Sequence, residues 1–327
     1  MNREAVRMLL ASQDQDDFDK INDQKILGAS QHIAMIGRMI ENIALDYNDS
    51  VDTLLHRVKS VGDFFIETRG EASQAVSNAI SIMLRGLDAL SSNTDVQQVA
   101  ERITKAKDDY KVYSEKALSM CVEYGYALLK NKKKIFIYDY SSTVDKVLAK
   151  LADSEMKHHV YIAESRIIDG GKPFLKTCLD SGHLITFFPD SAMMYFLKQA
   201  DVALMGAETF YPDGTGFNTT GSDIVGLVCK THHIPLYFIT PLIKLDARPL
   251  AGQEKNLVFN DTKVKLSKNL MDVVDVDKIQ FVVPELLGVP ADQITGFITE
   301  QGVIPSVSMF DVSIKYLDFI NGGSYGS

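Results

Sequence analysis

Short apolar runs in the second half of the chain end in side chains of the kinds that grip anions or move protons. The first runs into Asp139-Tyr140-Ser141-Ser142-Thr143. Backbone N–H groups at the start of a following helix, together with these hydroxyls, could hold a phosphate. The same residues would serve equally as a plain helix cap. The second run ends in Glu164-Ser165-Arg166, followed by Asp169-Gly170-Gly171-Lys172. The guanidinium of Arg166 is a rigid donor fork suited to phosphate, and a surface loop is the alternative. The third ends in Phe188-Pro189-Asp190-Ser191. The fourth gives Gly206-Ala207-Glu208 and leads into the glycine-rich stretch from Asp213 to Ser222. That stretch is neither a P-loop, since no Gly-Lys-Ser/Thr follows, nor the dinucleotide fingerprint, since the spacing fails. It could still form a loop that approaches a polar ligand closely.

Other chemistry has less support. His158-His159 and His232-His233 are adjacent pairs rather than i, i+4 pairs on a helix face, so they lack zinc spacing. Solvent-facing or half-buried roles are expected for them. Cys121, Cys178 and Cys229 have no metal-ligand spacing, and Cys121 and Cys229 fall in apolar helical patterns as small core residues. No Gly-x-Ser-x-Gly elbow follows a strand-like run, which argues against serine hydrolase chemistry. No metal and no cofactor are expected.

These residues need a frame to position them. The chain has 327 residues, 46% of them apolar and 24% charged, enough for a substantial core and one large or two ordinary domains. Up to about residue 130 apolar positions recur at helical spacing, as at Ile26, Ile33, Ile36, Ile40 and Ala44. Helices are expected over 21–47, 50–66 and 71–90, with Ser91-Ser92-Asn93-Thr94-Asp95 starting a long one to about 130. Gly37 is a close-packing candidate. From 135 the period changes. β-rich runs at 135–140, 159–163, 183–188, 202–205, 235–239 and 280–283 alternate with helical segments, which predicts a mostly parallel sheet covered on both faces. The fold class is α/β: a helical domain over 1–131, a sheet domain over 132–320 and a flexible tail over 321–327. In such a sheet ligands bind beyond the carboxyl ends of the strands.

The formal net charge is −9. The dense basic run Lys130-Asn131-Lys132-Lys133-Lys134 falls where a helix gives way to a strand, a solvated junction, so no direct nucleic-acid binding is expected. The apolar runs are strand-sized, far short of the roughly 20 residues of a membrane helix, and the first residues do not read as a secretory signal. The expectation is a cytoplasmic protein with no membrane association.

The strand-end groups, with several segments elsewhere, resemble the superfamily that joins the regulatory subunits of translation initiation factor 2B, ribose-1,5-bisphosphate isomerase and methylthioribose-1-phosphate isomerase. The resemblance runs from about residue 21 to 316. It is carried by Lys25-Ile26-Leu27-Gly28-Ala29-Ser30, Thr68-Arg69-Gly70-Glu71-Ala72, Glu164-Ser165-Arg166, Asp190-Ser191-Ala192, Gly206-Ala207-Glu208, Pro284 and the segment from Ile298 to Ser306. It implies a helical domain followed by a Rossmann-like domain, a homodimer or higher homo-oligomer, and a phosphorylated small-molecule ligand. By the same resemblance Arg69, Gly70, Ser141, Arg166, Asn218 and Thr219 stand at ligand-binding positions. The isomerases carry a catalytic Cys where this chain has Asp139 and a catalytic Asp where it has Glu208, and the Lys of their Asn-Lys pair is Thr219 here.

Two functions follow. Asp139 and Glu208 could form a catalytic pair for an aldose 1-phosphate to ketose 1-phosphate isomerisation if one carboxyl is kept protonated by burial or by the other's charge. Alternatively, a charged Asp139 would repel a phosphorylated ligand, leaving a non-catalytic sugar-phosphate or nucleotide sensor that resembles an initiation factor 2B regulatory subunit.

Overall fold

The computed structural model describes residues 2–26, 28–46, 50–90, 94–268, 270 and 274–323. Leu27, Tyr47, Ser91-Ser92-Asn93 and the last four residues of the expected tail lie outside them. The chain divides into two compact units. The first comprises Met1–Lys116, Ile243–Leu245 and Ser313–Ser327, and the second the remainder.

The first unit is helical: α1 (Arg3–Arg7), α2 (Ser12–Asn22), α3 (Ala29–Leu45), α4 (Val51–Thr68), α5 (Gln74–Leu84) and the first part of α6 (Val96–Leu129). The pattern read as one helix over 21–47 is interrupted, because Gln24 (φ 54°) and Gly28 (φ 101°) adopt left-handed backbone between α2 and α3. Left-handed residues cannot continue a right-handed helix. Ser50 caps α4 by accepting from the Thr53 N–H. The core gathers Phe18, Phe64 and Phe65, with ring centroids 5.1–5.5 Å apart, and includes the fully buried Ile36, Met39 and Val58. At Gly37 an added Cβ would stand 3.3 Å from Lys107 Cγ and 3.5 Å from Met83 Sδ, so this glycine does permit close packing.

Distant chain segments join this unit through specific bonds. Asn78 donates to the Ile243 and Leu245 carbonyls at 2.9 and 2.8 Å. Arg85 donates to the Phe319 carbonyl at 2.7 Å and lies over its ring, and Tyr113 donates to the Tyr316 hydroxyl at 3.2 Å. These bonds bring in the C-terminal helix α12 (Met309–Ile320). The units therefore part after Lys116, inside α6, whereas the change of sequence period lies near 131.

The second unit is built on seven strands: β1 (Lys134–Ile137), β2 (His159–Ala163), β3 (Leu184–Phe188), β4 (Val202–Gly206), β7 (Leu236–Ile239), β11 (Gly296–Thr299) and β12 (Gly302–Pro305). Their order is β12-β11-β7-β4-β1-β2-β3, parallel except for the β11–β12 hairpin. Both faces of the inner strands are covered, which is why these strands read as continuous apolar runs; the edge strand β3 leaves Leu184 and Phe187 exposed. Ile135, Ile137, Val160, Ile162, Val202 and Leu204 pack in one cluster with Val144 and Val147 of α7 (Ser142–Lys150) and Phe174 and Cys178 of α8 (Pro173–Asp180). The alternate residue Phe136 packs against Phe188, and Phe238 against Phe297, each pair with tilted rings. Helices α9 (Met193–Leu197) and α10 (Ser222–His232) complete the βα alternation.

Two expectations change. The run at 280–283 does not join the main sheet: β9 (Val282–Pro284) pairs antiparallel with β8 (Phe259–Asp261), a hairpin flanking the short α11 (Lys263–Leu266). The glycine-rich stretch after residue 213 contains a strand, β6 (Gly216–Thr219), which lies between β5 (Thr209–Phe210) and β10 (Leu286–Val289) in an antiparallel three-stranded sheet. His158 is also not half-buried. It is 0% exposed, with Nδ1 2.7 Å from the Lys132 carbonyl and Nε2 2.8 Å from Ser154 Oγ. All three cysteines are buried free thiols, and burial pushes Cys178 and Cys229 up to about 12.

Among the described residues no helix is long and apolar enough to cross a membrane.

The close approach of β4 to the start of α7 requires Gly206: a Cβ there would stand 2.5 Å from Ser141 Cβ and 2.6 Å from its Oγ. Gly206→Ala should lower stability by about 1–3 kcal/mol, the usual cost of overpacking. Urea unfolding measures it, and an unchanged midpoint would contradict this packing.

Candidate functional site

Strand order reverses about β1: the chain moves from β1 outward to β2 and β3, then returns to lay β4 on β1's other side. The carboxyl ends of β1 and β4 thus form the crevice where an open α/β sheet characteristically binds its ligands. Asp139 and Glu208 follow these two strands. Asp139 is 4% exposed and has a left-handed backbone, φ 59°. Burial pushes its carboxyl above the ordinary carboxylate range, and the charge of Glu208 adds to the rise. Hydrogen bonds from the Ser165 hydroxyl, the Tyr140 N–H and the Thr219 side chain oppose it. The Ser165 Oγ to Asp139 Oδ1 distance is 3.0 Å. Glu208 is exposed, and its N–H donates to the Phe217 carbonyl at 2.8 Å, tying the end of β4 to β6.

The loop after β2 is held from several sides. Asp190, following β3, accepts from the N–H groups of Ser165 and Arg166 at 2.8 and 2.9 Å. Ser165 is 1% exposed with φ 45°, a costly conformation for a residue with a side chain. Gly170 packs so tightly on this corner that a Cβ would collide with Asp139 Oδ1. Lys265 of α11 donates to the Ile167 carbonyl at 3.1 Å and to Asp169 Oδ2 at 2.7 Å. Arg166 itself is exposed, its backbone fixed and its guanidinium at the surface.

Ser141 takes the capping role that its sequence allowed: its side chain accepts from the Val144 N–H at 3.4 Å at the start of α7. Thr219 lies near enough to Asp139 to favour its charged form. Asn218 is 6% exposed. Its Oδ1 accepts from the Thr219 N–H at 2.9 Å, and its Nδ2 has no hydrogen-bond partner among the described residues. A buried amide donor left unpaired is costly unless something else satisfies it. Asp139, Ser165 and Thr219 are brought together around one carboxyl that Glu208 also influences, and Asp190 anchors their support.

Arg69 and Gly70 belong to the first unit. Arg69 ends α4, and burial lowers the affinity of its guanidinium for its proton. Its Nε is buried without a hydrogen-bond partner among the described residues. At Gly70 a Cβ would collide with the Ile66 carbonyl oxygen and stand 2.8 Å from Ser77 Cβ, and the Gly70 carbonyl accepts from Gln74 at 2.7 Å. This turn has no room for a side chain.

The sequence pattern assigns no role to Ser165 and Asp190 and reads Tyr138 as a strand residue. Tyr138 is 3% exposed, and its hydroxyl donates to the Thr220 carbonyl at 2.7 Å. The Gly170-Gly171 pair was the available signal for a chain passing hard against the site. Nothing local marked Tyr138, because its partners are far away in sequence.

The raised Asp139 has a consequence for stability. The folded state holds that proton at pH values where the unfolded chain has released it, so stability falls as pH rises through the folded value. Below the ordinary carboxylate range the contribution is fully present, and above the folded value it is lost. Asp139→Asn should therefore raise the melting temperature at pH 7, by about 2 °C or more, with the gain shrinking toward pH 4. Calorimetric melts across that range test it. A gain that is constant with pH would count against a buried titrating carboxyl.

Ribose 1,5-bisphosphate isomerase of Pyrococcus furiosus is 23% identical over 295 residues, 90% of this chain and 91% of that one. A solved structure described as translation initiation factor eIF-2B of Pyrococcus horikoshii superposes with a TM-score of 0.71 at 17% identity, covering 90% of this chain and 98% of that one. A chain of the tetrameric eIF2B-beta2-delta2 complex of C. thermophilum superposes with a TM-score of 0.66 at 14% identity, covering 96% and 94%. The profile of the Initiation factor 2 subunit family matches residues 26–306. A match over that span of a chain folded in this way has one reading: this protein belongs to the Initiation factor 2 subunit family.

Proposed function

We propose that the chain binds a sugar phosphate and isomerises an aldose 1-phosphate to a ketose 1-phosphate, with Asp139 and Glu208 as its proton-handling pair. The observation that carries this reading is the Asp139 carboxyl, buried at the switch point and held above the ordinary carboxylate range beside the exposed Glu208. Isomerisation needs one group that yields a proton to the sugar oxygen as the ring opens and one that removes the proton carried on carbon. A carboxyl kept protonated by burial can do the first, and an exposed carboxylate can do the second. A neutral Asp139 also lifts the objection that a buried anion would repel the phosphate.

The ligand contacts in this reading are Arg166, the Ser141 cap with the N-terminus of α7, Asn218 and Thr219 in the second unit; as a separate proposal for the first unit, Arg69 and the Gly70 turn contact phosphate. The unpaired Asn218 Nδ2 supplies a donor that a phosphorylated sugar would satisfy, and in the first unit the unpaired Arg69 Nε is a donor open to phosphate. The protein works in the cytoplasm as a homodimer or higher homo-oligomer. A second reading, a non-catalytic sugar-phosphate or nucleotide sensor, is favoured by the close fold likeness to initiation factor 2B chains. Fold alone does not carry function, and the buried carboxyl tips the balance to the enzyme.

The direct test is a calorimetric screen of pentose 1-phosphates, pentose 1,5-bisphosphates, nucleoside monophosphates and hexose phosphates, with each hit followed by phosphorus NMR. A ligand converted to a new phosphate ester supports the isomerase, and one bound unchanged supports the sensor. Arg69→Ala and Arg166→Ala should each weaken binding about 10-fold or more, since a charge-assisted contact is lost; unchanged affinity would remove that arginine from the site. Asp139→Asn should abolish most turnover while leaving affinity near the wild-type value, and full turnover would exclude Asp139 from the chemistry.

A further inference from the structure

We propose that Lys265 is a positioning residue for Arg166: it locks the backbone of the loop after β2 and so fixes where the exposed Arg166 guanidinium can reach. The argument starts from the two peptide groups that bracket this arginine and its neighbour Ile167. The Ser165–Arg166 peptide is held at both ends. Its N–H donates to Asp190 Oδ2 at 2.9 Å, and its carbonyl accepts from the Ile168 and Gly170 N–H groups at 3.2 Å each. The Ile167–Ile168 peptide is held at both ends as well. Its N–H makes the bond to Ser165 just given, and its carbonyl accepts from Lys265 Nζ at 3.1 Å. The Arg166 Cα therefore lies between two fixed planes.

Lys265 reaches this loop from 98 residues beyond Ile167. Its Nζ also meets Asp169 Oδ2 at 2.7 Å, while Lys172 takes Oδ1 at 3.0 Å. Asp169 has φ 57°, a conformation that a residue with a Cβ keeps only under constraint. One ammonium, with three donors, thus serves a carbonyl and a carboxylate of the same loop. The lysine is itself held. Its N–H donates to the Thr262 carbonyl at 3.0 Å, and Thr262, 7% exposed, donates its own N–H and hydroxyl to the Phe281 carbonyl at 2.8 and 3.2 Å. The β8–β9 pairing fixes the chain on either side of α11. The Lys265 and Asp169 side chains are 30% and 41% exposed, so their ion pair adds little to global stability. What it supplies is local order. An arginine on a loose loop has to be ordered as an anion binds, and that entropy is subtracted from the affinity; a clamp removes the cost beforehand.

That Arg166 meets a phosphate rests on the function proposed above, whereas the clamp can be read without any ligand. Hydrogen exchange of the full chain, followed by mass spectrometry on peptides covering 164–172, reads it. Lys265→Met keeps the apolar stem and removes the charge. The amides of this loop should then exchange about 5-fold faster while other peptides keep their rates; a merely structural role would loosen the second unit as a whole. Lys265→Arg keeps the charge and the donors and should restore most of the protection. Asp169→Asn suits the left-handed backbone, removes the charged partner and should also speed exchange, a second reading that does not depend on how the lysine variant folds. Titration with inorganic phosphate reads the consequence. Lys265→Met should weaken binding about 5-fold and should weaken it no further in Arg166→Ala, because it acts through that arginine. Unchanged loop exchange in either Lys265→Met or Asp169→Asn overturns the proposal. So does an unchanged phosphate affinity in a loosened Lys265→Met, or an equal loss in the Arg166→Ala background, which would make Lys265 a direct contact. The function is scored separately: wild-type protein that binds no phosphate, with the loop loosened in both variants, removes the sugar-phosphate reading and leaves the clamp standing.

Discussion

One carboxyl is taken out of water at the end of β1, and the rest of the second unit is arranged to tolerate it. Asp139 has to leave the strand with φ 59°, against the steric preference of a residue with a Cβ. It then needs a donor at close range, and this comes from Ser165, just past the end of another strand. Ser165 in turn needs its own left-handed backbone, stabilised by Asp190 at the end of a further strand. Two adverse backbone conformations and a buried acid persist together only where surrounding structure over-determines them, and such clusters mark functional sites.

The parallel sheet makes this convergence possible. Residues separated by tens of positions become neighbours because each strand delivers its last side chains to the same edge. The switch between β1 and β4 opens a crevice there, and the small sheet β5-β6-β10 places Asn218 and Thr219 at its border. Glycines take over where bulk would obstruct: Gly206 under Ser141, and Gly170 against Asp139. The first unit has a different logic. It is a helical core around three phenylalanines, and it uses Asn78, Arg85 and Tyr113 to draw in remote segments.

Family membership narrows the function without choosing it. The relatives include a protein named as an isomerase and chains of an initiation factor complex, and the same fold serves both. What distinguishes this chain is the local chemistry at its strand ends. A buried carboxyl held above the ordinary carboxylate range beside an exposed one is a costly arrangement, since an apolar or amide residue would fill the same space more cheaply.

Much of this architecture was legible in the sequence. Helical periodicity followed by strand-sized apolar runs dictated a helical region and then a covered parallel sheet, because the spacing of buried positions is a local property of each element. The polar groups at strand ends were legible for the same reason: Asp139, Arg166 and Glu208 each terminate a run. The break at Gly28, the strand inside the glycine-rich stretch and the hairpin at 282–284 were not, since these depend on left-handed backbone and on pairing with distant segments. Nor could the sequence assign Tyr138, Ser165 and Asp190. Their roles arise from which hydroxyl meets which carboxylate at about 3 Å, and only the tertiary structure decides that distance, because burial and hydrogen bonding across strands couple residues that the chain keeps far apart.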